Sequence, residues 1–296
     1  MPAAVGPVLA APRFTNPVRP IVLDKYAVIG NPIAHSRSPQ IHAAFARATG
    51  QDVSYERLLA PLDGFLATVE AFRRSGGKGL NVTVPFKLQA FALAVAHSPR
   101  AKLSGAVNTL KLTGDGWYGD NTDGPGVVRD ITHNLGVAIA GRDILVLGAG
   151  GASRGIMSSV LAERPRTLTI SNRTFAKAVV IAELFAPHGP IAAVPPEALA
   201  GRSFDIVINA TSAGLADKTP PPWSPSIVAS GAFAYDMIYG DAPTAFLTWA
   251  EAHGAGRTAD GLGMLIEQAA ESFFIWRGVR PETASAFPLL RPPVSG

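Results

Sequence analysis

At 296 residues the chain is longer than one hydrophobic core usually serves, and 47% hydrophobic with 16% charged residues excludes a disordered protein. With no cysteine, disulfides, thiolate catalysis and cysteine-based metal sites are excluded; with six scattered histidines in no HExxH pattern no metal site is expected, and a reducing cytoplasm is the expected setting. A net charge of +4 without a basic run argues against nucleic acid but suits small anionic ligands, and no apolar stretch approaches the roughly 20 residues that cross a bilayer.

Residues 1–20 contain Pro2, Pro7, Pro12, Pro17 and Pro20 and read as a poorly structured extension, the prolines breaking any signal-peptide core. From Tyr26 onward short apolar runs alternate with longer amphipathic segments, as βαβ units do. Tyr26–Ile29 reads as a strand closed by the turn Gly30-Asn31-Pro32, and a helix opens at Pro39 and runs towards Gly50. Residues 78–84 read as a second strand, with Pro85 starting a helix to about Ala96. Residues 108–112 read as a third strand before the Gly114–Gly116 turn. A second unit begins at Gly141: Asp143–Leu147 is an apolar strand, and further strands are expected at 167–170, 191–194, 205–208 and 233–235. Such uniformly apolar strands suit a parallel sheet buried on both faces. Residues 262–277 form the last amphipathic helix. The fold class is therefore α/β with two domains, the second Rossmann-type and doubly wound.

The segment Leu147-Gly-Ala-Gly-Gly-Ala-Ser153 sets glycines 148, 150 and 151 between a strand and a helix. Gly148 permits a tight turn, Gly150 allows close approach of a pyrophosphate, and the helix N-terminus offers N–H groups to the phosphates. Ser153 replaces the third fingerprint glycine and is small enough for helix–sheet packing. A helix-capping turn can use such glycines too, but the flanking strand and the next strand at the right distance favour the dinucleotide reading. Where an NAD site places an acid, this chain reads Ser171-Asn172-Arg173-Thr174, with Lys177 one turn on. Arg173 and Lys177 can pair with a 2′-phosphate and Asn172 and Thr174 can donate to it, so NADP(H) is the expected cofactor rather than these residues forming a plain basic loop.

Three polar clusters lie outside this unit. In His35-Ser-Arg-Ser-Pro39, Ser38 has the composition of an N-cap, and Ser36 and Ser38 together can present two hydroxyls to a carboxylate. In Asn81-Val-Thr-Val-Pro-Phe-Lys87, alternation puts Asn81 and Thr83 on one face, with Val82 and Val84 facing a core. Lys87 sits at a helix start, where the dipole disfavours a cation, which makes it a candidate proton donor as well as an ordinary solvated lysine. Asn121-Thr-Asp-Gly124, with Asn108 upstream, is by itself only a turn signal.

The phrases NPIAHSRSP, NVTVPFK, GAVNT, NTDG, GAGGASR, NRT, NATSAG and DGLGMLIEQA, in this order, closely resemble the shikimate dehydrogenases over roughly residues 24 to 280. The resemblance implies that Lys87 and Asp123 are the catalytic pair. It implies that Ser36, Ser38 and Thr83 hold the substrate carboxylate with Tyr239 nearby, and that Asn81, Asn108 and Gln268 read ring hydroxyls. By the same resemblance the cofactor contacts are Gly148, Ala149, Gly150, Gly151, Ala152, Ser153, Asn172, Arg173, Thr174 and Lys177, with Thr211, Ser212, Gly261 and Met264 near the nicotinamide. The implied substrate domain is 21–123 plus 262–296, with the NADP domain at 124–261 and the active site between them. The implied reaction is reversible reduction of 3-dehydroshikimate to shikimate in aromatic amino acid biosynthesis, by a cytoplasmic monomer or homodimer with no metal, nucleic-acid or membrane partner. An NAD-using quinate/shikimate dehydrogenase and a catalytically silent NADP-binding sensor are the alternatives. Arg173, and Ser38 where quinate-preferring relatives often carry Thr, stand against the first; the presence of both Lys87 and Asp123 stands against the second.

Overall fold

The computed structural model describes residues 23–211 and 223–291; the expected extension at residues 1–20, Ser212 and the segment from Leu215 after NATSAG lie outside the described residues. Two six-stranded sheets divide the chain. The first holds β1 (Asp24–Gly30), β2 (Val53–Leu59), β3 (Gly77–Val82), β4 (Ala96–His97), β5 (Thr109–Thr113) and β6 (Gly116–Asp120) in the order β2-β1-β3-β5-β6-β4. Strands β1 to β3 run parallel, whereas β5 and β6 form an antiparallel hairpin appended to β3. The second sheet is wholly parallel, with β7 (Asp143–Leu147), β8 (Thr167–Ser171), β9 (Ile191–Ala193), β10 (Phe204–Asn209), β11 (Val228–Asp236) and β12 (Arg257–Ala259) in the order β12-β11-β10-β7-β8-β9. The order reverses between β7 and β10, the point where doubly wound sheets bind dinucleotides.

Burial on both faces explains the apolar strands of the second sheet. Within β7, Ile144 and Val146 enter one core, with α6 (Gly151–Ala162) and α7 (Phe175–Phe185), while Leu145 and Leu147 enter the other, beneath α8 (Ala245–Ala252). In the first half α1 (Ser38–Thr49), α2 (Phe65–Arg74), α3 (Lys87–Leu93) and α4 (Pro99–Ser104) cover the sheet. Two further helices join the halves. The first, α5 (Asp123–Arg129), continues into one π-helical turn at Asp130–Asn134; the second is α9 (Leu262–Arg277), and the short α10 (Phe287–Leu290) follows it. Ile266, Ala269 and Phe273 of α9 pack with Ile41 and Phe45 of α1, whereas Met264 joins the core under β7 and β10. The two joining helices approach closely because Gly126 and Gly263 lack side chains. A Cβ on Gly126 would lie 2.8 Å from that of Gln268, and one on Gly263 would overlap the Asp130 carboxylate.

Five details differ from the sequence reading. Strand β3 ends at Val82 rather than Val84, and Val84 is 62% exposed instead of facing a core. Pro85 has no N–H to extend the ladder, so the strand stops before it. The helix after Pro85 ends at Leu93, and Ala96 already belongs to β4. Helix α1 starts at Ser38 itself, with Arg37 in the cap position and no side-chain cap bond, so Ser38 is free of that duty. Strand β5 begins at Thr109, one residue after Asn108. Strand β11 spans Val228–Asp236, longer than the expected 233–235, and residues 237–238 then lead to Tyr239.

Candidate active site

Lys87 is the first residue of α3, and Asp123 the first of α5. A carboxylate at a helix N-terminus is favoured by the dipole and a cation there is not, so pairing the two offsets the cost of placing Lys87. Lys87 Nζ donates to Asp123 Oδ2 at 2.5 Å, with the side chains 27% and 10% exposed. The other oxygen, Oδ1, accepts from Asn108 Nδ2 at 2.7 Å. The carboxylate is thus held from two sides, and the ammonium keeps a partly open position.

Behind this pair lies a buried polar network. Asn108 Oδ1 accepts from the Thr122 N–H at 2.8 Å and from the Thr109 hydroxyl at 2.9 Å, which fixes the amide that meets Asp123. Asn81 Nδ2 donates to Ser272 Oγ at 2.8 Å, and its Oδ1 accepts from the Tyr55 hydroxyl at 2.7 Å. His42 Nε2 lies 3.2 Å from the same Asn81 oxygen. The Thr122 hydroxyl faces Gln268 Oε1 at 3.3 Å and Ser272 at 3.3 Å. Asn81, Asn108, Lys87, Asp123 and Gln268, more than 180 residues apart at the extremes of sequence, therefore belong to one connected network. Thr109, Thr122, Ser272, Tyr55 and His42 were not picked out from sequence. Thr109 and Thr122 sit inside the quoted motifs, and Ser272 follows Gln268 by four residues on one helix face, so those three carried a signal.

At the other end of this wall, Ser36 Oγ donates to Ser38 Oγ at 3.2 Å and accepts from the Ser38 N–H at 3.3 Å. Thr83 is partly exposed and lies just past the end of β3 rather than within the strand as expected, its N–H tied to the Ile29 carbonyl at 3.0 Å. Tyr239 packs beside the α1–α9 core, and burial pushes its phenol pKa up, with Arg37 acting in the opposite sense.

The cofactor half offers mainly backbone. Gly148 has φ +103°, a left-handed conformation, and a Cβ there would lie 3.0 Å from the Ala210 carbonyl. Positions 150 and 151 have open space where side chains would be, at the N-terminus of α6, so the loop leaves room for a pyrophosphate. Ala149 N–H donates to Asn172 Oδ1 at 3.1 Å, and Asn172 Nδ2 donates to the Thr174 carbonyl at 2.9 Å. Asn172 thereby ties the glycine loop to the segment carrying Arg173, Thr174 and Lys177, all exposed. Ala152 is also exposed, whereas Ser153 is fully buried and its hydroxyl donates to the Gly148 carbonyl at 2.7 Å. Thr211 is anchored on Asn209 Oδ1 at 2.7 Å, while Gly261 and Met264 open α9 alongside the Met237 backbone and the second core. The residues present fit a phosphorylated dinucleotide: an open glycine loop, a helix start, and cations without an acid at the end of β8.

Fold and site together define a two-domain dinucleotide-dependent oxidoreductase with a lysine–aspartate pair at the start of two helices. Family models match three stretches: a shikimate dehydrogenase substrate binding domain at 28–110, a shikimate/quinate 5-dehydrogenase domain at 130–216, and a shikimate 5′-dehydrogenase C-terminal domain at 261–285. The NADP(+) shikimate dehydrogenase of Aromatoleum aromaticum is 56% identical over 93% of this chain and 100% of that protein. The same enzyme of a Janthinobacterium species is 59% identical over 90% of this chain and 97% of its own. The crystal structure of the Thermus thermophilus shikimate 5-dehydrogenase in complex with NADP(H) and shikimate superposes with a TM-score of 0.79 at 34% identity, covering 88% of this chain and 96% of that one. The chain belongs to the shikimate dehydrogenase family.

Proposed function

We propose that this chain catalyses the NADPH-dependent, reversible reduction of 3-dehydroshikimate to shikimate. The observation that carries the reading is the 2.5 Å contact between Lys87 and Asp123 at the cleft, in a chain whose relatives are NADP(+) shikimate dehydrogenases. Bound NADPH supplies a hydride to the ring ketone carbon. Lys87 Nζ stabilises the developing alkoxide and passes it a proton, and Asp123, steadied by Asn108, aims the ammonium. Ser36, Ser38 and Thr83 take the substrate carboxylate beside Tyr239, and Asn81, Asn108 and Gln268 line the ring side. Neutral donors of this kind suit a polyhydroxylated ring, and their mutual hydrogen bonds hold them before the substrate arrives.

On the cofactor side, residues 148–153 receive the pyrophosphate, Arg173, Lys177, Thr174 and Asn172 receive the 2′-phosphate, and Thr211, Gly261 and Met264 border the nicotinamide. The substrate domain comprises 21–123 with 262–296, and 124–261 the cofactor domain. The enzyme acts in the cytoplasm as a monomer or homodimer. Its cysteine-free composition suits that compartment, and no helix among the described residues is long and apolar enough to cross a membrane.

Initial rates with shikimate or quinate, each paired with NADP⁺ or NAD⁺, test the reading. Fast turnover confined to shikimate with NADP⁺ is expected. Comparable rates with quinate or NAD⁺ would move the chain to the broader quinate/shikimate group, and binding of NADP without turnover would make it a sensor.

A further inference from the structure

Strand β2 carries no residue of the proposed site, yet its side chains reach that site at two points. Tyr55 and Arg57 are two residues apart, so they leave the strand on the same face. Arg57 donates from Nε at 2.8 Å and from Nη2 at 2.6 Å to one atom, the carbonyl oxygen of Ser36. Among the described residues Arg57 forms no ion pair, so its charge is not cancelled. The other arginine of this loop, Arg37, is committed to Asp241 at 3.2 Å and to the Leu290 carbonyl at 2.9 Å. Tyr55 stacks on His42 with 4.1 Å between centroids and an interplanar angle of 9°, and its hydroxyl donates to Asn81 Oδ1 at 2.7 Å. His42 lies on α1, the helix that Ser38 opens, so the stacked phenol meets that helix on one side and Asn81 on the other.

These contacts answer a problem the serine pair leaves open. A carboxylate is held best by donors that are charged or backed by charge, and two hydroxyls alone are neutral. The Ser36 proton is spent on Ser38 Oγ, so the hydroxyl must turn when an anion arrives while its peptide stays fixed. The doubly bonded guanidinium fixes that peptide and places a positive charge on the same loop. Through its stacking on His42 of α1 and its bond to Asn81, Tyr55 ties the helix that Ser38 opens to the Asn81 end of the network.

We propose that Tyr55 and Arg57 form the supporting tier of the substrate-carboxylate subsite, Arg57 as its unpaired cation and Tyr55 as the link between the helix that Ser38 opens and Asn81. This rests on the reading of Ser36 and Ser38 as the carboxylate donors. Both are positioning residues rather than catalytic ones, and their influence falls on the charge of the substrate, not on its ring.

The test compares shikimate with its neutral methyl ester, with NADP⁺ at saturation and the full-length enzyme. Arg57→Gln should raise KM for shikimate about tenfold, more than it lowers kcat, and Tyr55→Phe should raise it about three- to fivefold. The ratio of kcat/KM for acid over ester should fall in both variants, with Arg57→Lys between wild type and Arg57→Gln because it keeps the charge and loses the fork. Because the ester reports on the same folded protein, a general loss of structure lowers both substrates alike. Equal losses on acid and ester, or none, would overturn the proposal. Ser36→Ala and Ser38→Ala complete the experiment. If they lose the acid–ester discrimination while the Tyr55 and Arg57 variants keep it, only the supporting tier falls. If the serine variants keep it too, the carboxylate reading falls and the tier with it.

Discussion

The two halves of the molecule build their parts of the cleft by opposite means. The substrate half uses buried side chains whose polar atoms are occupied by one another: Asn81 and Asn108 are 5% and 3% exposed, and Thr122 is wholly buried. The cofactor half uses backbone, with open glycine positions, a helix N-terminus and exposed cations. A buried polar group left without its partner costs roughly 1–3 kcal/mol, so damage in the first half should propagate. An exposed cation acts through solvent and screening, so damage in the second half should stay local. The contrast predicts large, coupled effects on one side and small, separable ones on the other.

The largest effect belongs to Lys87. Lys87→Ala removes the proposed proton donor and leaves Asp123 with only Asn108 at one oxygen. Turnover should fall about 10²-fold or more, as expected for loss of a general acid, while the variant still binds NADP⁺ in a fluorescence titration. Near-normal turnover in the folded variant would remove Lys87 from the mechanism and break the contrast at its strongest point.

Next comes the pH dependence that burial imposes on the same half. Burial lowers the His42 pKa from 6.5 to about 3, its bond to Asn81 opposing that fall. The native state keeps His42 neutral while the unfolded chain takes up a proton, so this stability is fully present above pH 6.5 and is lost as pH falls towards 3. Between about pH 6.5 and 4.5 the loss from this one group is about 2–3 kcal/mol. Urea midpoints measured across that range should drop further in wild type than in His42→Phe, which keeps an aromatic ring against Tyr55 and has nothing to titrate. Parallel curves would show that His42 does not carry the effect.

The same contrast explains what could be read without the structure. The cofactor side is local in sequence: strand, glycines and helix follow one another, and β7 falls on the residues expected from its apolar run. A backbone site needs only that local order. The substrate side is non-local. Neither Lys87 nor Asp123 announces its partner 36 positions away, and only resemblance joined them before the geometry did. Tyr55 and His42 were invisible because an aromatic in a half-buried strand and a histidine inside a helix have ordinary packing explanations. Alternation also misplaced Val84, since it assumes that the strand continues, and the proline after it ends the ladder.

On the cofactor side the first expected effect is smaller. Arg173 is exposed in the segment that follows β8, where no acid competes for it. Arg173→Ala should raise KM for NADP⁺ about tenfold while changing the low activity with NAD⁺ much less, because only the first carries a 2′-phosphate. Equal changes with both cofactors would mean that Arg173 serves the loop rather than the phosphate, and would erase the separation between backbone and charge in this half.

The smallest effect gives the sharpest distinction. Ser153 stands where the dinucleotide fingerprint has its third glycine, and its buried hydroxyl straps the Gly148 carbonyl at 2.7 Å. Ser153→Ala removes that strap without adding bulk, and should cost about 1 kcal/mol in urea unfolding. Gly148 keeps its left-handed φ, and Asn172 still receives the Ala149 N–H, so the loop retains two of its three restraints. KM for NADP⁺ should therefore rise only about two- to threefold, with kcat for shikimate following the same modest course. A collapse of turnover in Ser153→Ala would mean that the loop couples to the Lys87–Asp123 pair through α5 and α6, which pack where Gly155 faces Asp123 Oδ2. The cofactor half would then be as cooperative as the substrate half, and the distinction between them would hold for composition but not for energetics.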